Sequence, residues 1–220
     1  FSAPDGSSCS AMTHDALGNI YVTGYFRSTL VDFDPGPGVA NLTQSGGLDI
    51  FIAKYDASGN YIWAKKLGGP ENDNGADIAL DADGNVYVAG AFSLIADFDP
   101  GPGSASLVSA GGGDVFFAKY DASGTCLWVR TSTTSGTFGS EIGYGVTVDG
   151  SGNVVATGSF SATNVTFGSY TLTNHNAGYA DMFVVKYNSS GAEQWAASAG
   201  GSRIDGGRGV AADASGNVYV

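Results

Sequence analysis

A chain of 220 residues that is 43% apolar and 12% aromatic can bury a core as one or two domains, which excludes a disordered polymer. Only 14% of its residues are charged and 35 are glycine, which excludes long solvated helices. A net charge of −12 with nine Lys plus Arg leaves no basic footprint for nucleic acid or an anionic membrane, so cations or neutral polymers fit it better.

Of the 21 acidic residues only Glu71, Glu141 and Glu193 are Glu, and Asp favours turns where Glu favours helix interiors. Cys9 and Cys126 stand alone, with no CxxC pair or His cluster, which excludes zinc and iron–sulfur centres and a disulfide framework. No apolar run approaches the ~18 residues that span a bilayer, so no membrane insertion is expected. Phe1 to Ser10 lacks the basic and apolar regions of a signal peptide.

In chain order the first unit, 8–70, opens with Asp15-Ala-Leu-Gly-Asn-Ile-Tyr-Val-Thr-Gly-Tyr-Phe26 and continues through Asp32-Phe-Asp34-Pro-Gly-Pro-Gly38. It closes with Lys54-Tyr-Asp-Ala-Ser-Gly59 and Trp63. The second unit, 71–138, repeats these landmarks at Asp81 to Phe92, Asp97-Phe-Asp99-Pro-Gly-Pro-Gly103, Lys119 to Gly124 and Trp128. The third, 139–203, has Asp149 to Phe160, Lys186 to Gly191 and Trp195, and a partial fourth, 204–220, has Asp213 to Val220. The leading aspartates are 66, 68 and 64 residues apart. That period marks a tandem supersecondary module.

Both landmarks are Asp or Asn turns closed by glycine between β-branched and aromatic runs, the signal of a hairpin. Each unit therefore carries about four strands, in the second unit Ala76 to Asp81, Asn85 to Phe92, Asp114 to Tyr120 and Thr125 to Arg130, with a variable stretch from Phe98 to Leu107. The third strand carries Val115 and Phe117 on one face and Phe116, Ala118 and Tyr120 on the other. Two apolar faces argue against a simple sandwich, which leaves one face polar, and for a propeller blade covered on both sides. A β-helix would need a shorter period and no hairpins. The fold expected is all-β, a β-propeller of ~66-residue four-stranded blades with three full blades and the start of a fourth, an incomplete ring.

These motifs resemble the SBBP-type β-propeller repeat of bacterial secreted and cell-surface proteins, over nearly all of the chain from about Ser8 to Val220. The Asp-Phe-Asp-Pro-Gly-Pro-Gly form also resembles copies in large Bacteroidetes-like surface proteins, many of which carry a sorting domain for type IX secretion. The resemblance implies an extracellular or cell-surface scaffold or adhesive module. The partners it implies are other surface proteins, further copies or blades of the same protein, or polysaccharide.

The sharpest local signals are the pairs Asp32 with Asp34 and Asp97 with Asp99. Residues i and i+2 of an extended chain share a side, so each pair sets two carboxylates beside a rigid turn, a candidate Ca²⁺ site. The alternative is that they cap the turn, with Phe33 and Phe98 as anchors. Trp63, Trp128 and Trp195 recur, which favours packing between blades over sugar stacking. Lys54, Lys119 and Lys186 are expected to snorkel or to pair with a neighbouring blade's Asp. Asp49, Asp114 and Asp181 open each third strand, as turn caps or a repeated rim site for cations. His14 and His175 have no partner at ligand or triad spacing, and no Gly-x-Ser-x-Gly elbow or phosphate loop is present. No catalytic or cofactor-binding residue emerges. The expected function is a non-enzymatic scaffold or ligand-binding module stabilised by calcium, the alternative a quinoprotein-like or carbohydrate-active propeller enzyme.

Overall fold

The computed structural model describes residues 7–135, 139–176 and 178–220; most of the N-terminal stretch Phe1 to Ser10, and position 138 where the second unit was expected to end, lie outside them. The described residues form 21 strands and no helix. The first unit contributes β1 (Ser8–His14), β2 (Ile20–Phe26), β3 (Val31–Asp32), β4 (Asn41–Leu42), β5 (Asp49–Tyr55) and β6 (Tyr61–Leu67). The second contributes β7 (Asn74–Leu80), β8 (Val86–Phe92), β9 (Ile95–Asp97), β10 (Ser106–Val108), β11 (Asp114–Tyr120) and β12 (Cys126–Thr131). Then follow β13 (Thr133–Ser135), β14 (Glu141–Val148), β15 (Val154–Phe160), β16 (Asn164–Phe167), β17 (Tyr170–Thr173), β18 (Asp181–Tyr187) and β19 (Glu193–Ala199), and last β20 (Ala211–Ala212) and β21 (Val218–Tyr219).

Three antiparallel four-stranded sheets result, ordered β1-β2-β5-β6, β7-β8-β11-β12 and β14-β15-β18-β19, and the paired β20 and β21 begin another turn of the pattern. The four strands expected in the second unit are present, Asp114 to Tyr120 with the expected ends and the others with ends shifted by at most two residues. The variable stretch adds a short hairpin, β9 with β10, that carries the Pro-Gly-Pro-Gly loop. The third unit replaces it with β16 and β17 around Gly168, to which β13 adds a strand.

The hairpins form because their aspartates supply the turn's missing acceptors. Asp81 Oδ1 accepts the amides of Asp83 at 3.0 Å and Asn85 at 2.9 Å, and Asn85 Nδ2 donates to Asp81 Oδ2 at 2.8 Å. Gly84, at φ 78°, takes the left-handed position that glycine alone adopts without strain. Asp15, Asp149 and Asp213 repeat this frame, and Asp56, Asp121 and Asn188 build the same amide frame at the outer hairpin.

Sheets stack because β11 is buried along its whole length. Val115 and Phe117 pack with Phe160, Phe183 and Tyr187 of the third sheet. Phe116, Ala118 and Tyr120 share a second core with Tyr21, Ile50 and Ile52 of the first. The first strands run side by side: β7 lies against β1 and β2, β14 against β7 and β8, and β20 against β14. This succession is β-propeller-like.

Close approach of successive units depends on a glycine at one matching position in the second, third and fourth units. A Cβ on Gly75 would lie 2.4 Å from Thr23 Oγ1, and one on Gly207 2.0 Å from Thr157 Oγ1, in each case on the preceding sheet. Both hydroxyls are buried and fixed by donating to the carbonyls of Phe51 and Phe183, so they cannot turn aside. We expect Gly75→Ala to lower stability by about 1–3 kcal/mol, the range for overpacking a tight seam. Gly150→Ala, where nothing lies within 4 Å of the new methyl, should stay within about 0.5 kcal/mol in the same denaturant titration.

Candidate functional site

The two Asp-Phe-Asp loops are built alike. Asp32 Oδ1 accepts the amides of Asp34 at 3.0 Å and Ala40 at 2.8 Å, while Asp34 Oδ1 accepts that of Gly36 at 2.7 Å. Asp97 Oδ1 accepts those of Asp99 at 3.0 Å and Ala105 at 2.8 Å, and Asp99 Oδ1 that of Gly101 at 2.8 Å. The bonds from Ala40 and Asp34 hold the Asp32 carboxyl below the usual carboxylate range. Partial burial pushes Asp97 up, but the amides of Asp99 and Ala105, with Ser104 and the charge of Lys66, bring it below its ordinary value. Phe33 and Phe98 are buried beneath as anchors, Phe98 with its ring centroid 4.6 Å from that of Phe116. The carboxylates thus act as turn frames, leaving their Oδ2 atoms outside these amide bonds. Asp97→Ala should destabilise by about 1–2 kcal/mol and Asp99→Ala by about half as much, since two amides lose an acceptor in the first case and one in the second; paired thermal melts would check the order.

Two of the recurrent tryptophans, Trp63 and Trp128, join sheets, as expected. Trp63 Nε1 donates to the carbonyl of Ala122 at 3.3 Å and Trp128 Nε1 to that of Ser189 at 3.2 Å, each acceptor lying in the outer turn of the next unit. Arg130 Nε adds a bond to the Gly191 carbonyl at 2.7 Å. Lys119 and Lys186 correct the pairing expected with a neighbouring blade's Asp, although Lys119 Nζ also donates to the Ser189 carbonyl of the next unit at 3.4 Å. Lys119 Nζ is 3.6 Å from Asp81 and Lys186 Nζ is 2.8 Å from Asp149, and in both cases the Asp belongs to the lysine's own sheet. The reason is register: Lys119 on β11 pairs with Tyr87 on β8, beside the turn that Asp81 heads. Tyr87 donates to the same carboxylate at 2.9 Å. Burial pushes Asp149 up, but bonds from Lys186, Asn153 and turn amides bring it down to about 2.

The turns headed by Asp15, Asp81 and Asp149 leave two clefts between them, each of about 480 Å³. One lies between residues 14–17 and 80–84, the other between 80–83 and 148–152 with Lys119 and Ser189. Both fall in the size range of small-ligand sites. Their carboxylates, already committed to amides, Asn side chains and Lys, can accept hydrogen bonds from a ligand but hold no poised proton.

The seams between sheets hold a set of acids that only half emerged from the sequence. Asp49, Asp114 and Asp181 are 0%, 1% and 0% exposed, and each is bonded through one oxygen only. Oδ2 of Asp49 accepts the Ser45 amide, that of Asp114 the Ala110 amide, and that of Asp181 the His175 amide; Oδ1 is buried without a partner in all three. His175, expected to stand alone, also sets Nδ1 2.7 Å from Asp181 Oδ2.

Facing them are the acids that begin the next unit. Asp73 Oδ2 and Asp49 Oδ1 lie 2.6 and 2.7 Å from the point where a Gly68 Cβ would stand. Glu141 meets Asp114, and Asp205 accepts the Gly201 amide as Asp73 accepts that of Gly69. Asp73, Glu141 and Asp205 escaped the sequence reading, although their signal was there: an acid two residues before the seam glycine in the second, third and fourth units.

Burial pushes the Asp73 carboxyl up to about 6, against the bonds from Ser93 and Gly69, and the charge of Asp49 adds to the rise. A carboxyl raised in the folded state stabilises fully below its unfolded pKa and loses that contribution as pH rises through the folded value. Stability should therefore fall by about 2–3 kcal/mol between pH 4 and 6.5 from this group. Asp73→Asn should flatten that slope in denaturant titrations across the window.

Residues 62–91 match the family model for SBBP, the beta-propeller repeat. The chain is 30% identical over 218 residues to an uncharacterized WD repeat-containing protein of Acanthamoeba polyphaga mimivirus, a match covering 84% of this chain and 15% of that protein. It is 31% identical over 83 residues to the regulatory protein FlaEY of Caulobacter vibrioides, covering 38% of this chain and 9% of that protein. The chain thus spans a small part of each relative's length. The matched segment runs from β6 through β8, across a seam, and supports the repeat type read from the sequence.

Proposed function

We propose that this chain is a non-catalytic interaction module, a β-propeller segment that scaffolds or binds partners at the cell surface or outside the cell. One observation carries the reading: the charged and aromatic residues that recur in the repeat are spent on holding it together. The turn aspartates bind their own amides, Lys119 and Lys186 bind those aspartates, and the tryptophans bind the next unit's turn. A general acid or base needs a proton it can give or take near neutral pH. The carboxylate of Asp149, held near 2 and clamped by Lys186, is the opposite of that.

What differs between units is the part left to recognition: the two Pro-Gly-Pro-Gly loops against the β16–β17 hairpin, and the clefts between turns. An acidic, lysine-poor surface with hydrogen-bond acceptors in shallow clefts favours hydroxyl-rich neutral polymers over polyanions. The relatives' WD repeat and regulatory descriptions fit a protein that works by contact, and resemblance to surface-protein repeats supports the location. The partners proposed are polysaccharide, other surface proteins or further copies of the repeat.

The test is to offer the purified chain a panel of neutral and anionic polysaccharides, measuring retention and turnover together and recording an ultraviolet–visible spectrum. The expected outcome is retention on neutral polymers, none on anionic ones, no turnover and no quinone band. Turnover abolished by one substitution, or a quinone band, would replace this proposal with the enzyme reading.

A further inference from the structure

We infer that Asp114 and Glu141 form a calcium site in the seam between the second and third sheets, a role beyond the scaffold reading and independent of it. Backbone pairing makes the site: the Glu141 amide donates to the Gly113 carbonyl at 3.0 Å, which sets the first residue of β14 beside the first residue of β11. Asp114 is 1% and Glu141 0% exposed. Asp114 Oδ1 and both Glu141 oxygens are buried and have no hydrogen-bond partner among the described residues. The Ala162 amide lies near Glu141 and favours its charged form, but makes no bond of normal geometry.

The two carboxyl groups come within hydrogen-bonding range of each other. Neither carboxylate can donate, and two buried negative charges in contact cost several kcal/mol each unless something positive joins them. No Lys, Arg or His among the described residues bridges either one. The other seams are different: Lys66 acts on Asp49 in the first, and His175 sits on Asp181 in the third. The second seam has the same acids and no countercharge.

An all-oxygen set with a bidentate-capable Glu suits a hard cation. Calcium gathers six to eight oxygens at 2.3–2.6 Å in irregular geometry, so carboxyl oxygens brought into mutual contact, as these are, suit shared ligation of one ion. Magnesium demands a near-ideal octahedron and holds its waters. A shared proton would join one oxygen of Asp114 to one of Glu141 and leave the third oxygen orphaned. An ion serves all three, and remaining positions fall to carbonyls and water.

The experiment is calorimetric titration of CaCl₂ into the chelator-stripped 220-residue chain at pH 7.5, with melting curves in CaCl₂, MgCl₂ and EGTA. We expect binding of at least one Ca²⁺ per chain, a calcium-specific rise in melting temperature, and at least a tenfold loss of affinity in Glu141→Gln. The double variant Asp34→Asn with Asp99→Asn should retain the binding, which separates the seam from the turn loops. If Glu141→Gln does not fold, Asp114→Asn carries the same comparison. No calcium response, or one that survives both seam variants, overturns the site. A melting temperature that ignores calcium but falls as pH rises toward 8 would also overturn it, assigning the seam to a shared proton instead.

Discussion

A strand with two apolar faces cannot be left at a surface. In β11 the alternation that usually sends one side chain to solvent sends both to cores, Val115 and Phe117 to one, Phe116 and Tyr120 to the other. Each fully buried aromatic of this kind is worth about 1.5–3 kcal/mol against exposure. A four-stranded sheet carrying such a strand must therefore be covered by another sheet on each side. Repetition is the cheapest solution, because the residues that cover one neighbour can be the same ones, a unit later, that cover the next.

Face-to-face stacking then raises a polar problem at each seam. Backbone groups at sheet ends and turns would be stranded between apolar layers, where an unmet group costs about 1–3 kcal/mol. Three devices answer it. Buried threonine hydroxyls at Thr23 and Thr157 turn inward to carbonyls of their own sheets. Tryptophan indoles reach across to the next unit's turn, combining aromatic area with a hydrogen bond. Asp77 Oδ2 accepts the Val146 amide at 2.8 Å, a backbone bond made across the seam by a side chain. Burial raises the Asp77 carboxyl and the Val146 bond partly offsets it.

What the sequence made legible follows from range. Asp-x-x-Gly-Asn turns and alternating strands are local, so hairpins, strand faces and the third-strand Asp were readable from residues a few positions apart. Tryptophan packing was readable because recurrence at one position in every unit points to a shared structural task. Lysine pairing was not, because it depends on which strand lies beside β11: β8 brings Asp81 within the same sheet, whereas the sequence spacing equally admits a neighbour. The pairing of Asp114 with Glu141 was harder still, since 27 positions and a seam separate them and the loop between, longer than the matching one in the first unit, hides the alignment. The carboxylates of the Asp-Phe-Asp loops were conspicuous for the opposite reason: i and i+2 spacing is visible in any sequence, and it describes a turn frame as well as a ligand pair.

Repeats that share a fold are free to differ where the fold makes no demand, and the seams show how little freedom that is. The acid opening the third strand is Asp in all three units, held by an amide of the preceding loop on one oxygen and open on the other. What varies is the group that answers the carboxylate's charge: a lysine nearby in the first seam, a histidine in the third, neither in the second. A fixed acid with a variable partner is a structural constant carrying an adjustable one. The acid cannot change without stranding the loop amide, so differences between units in their response to cations and protons must be written in the partner. The first seam is answered by the Lys66 ammonium and the third by an imidazole nitrogen of His175, and a seam with neither depends on what the solvent supplies. Three copies of one sheet can thus differ in how firmly they hold their neighbours without any change in the apolar cores that bring them together.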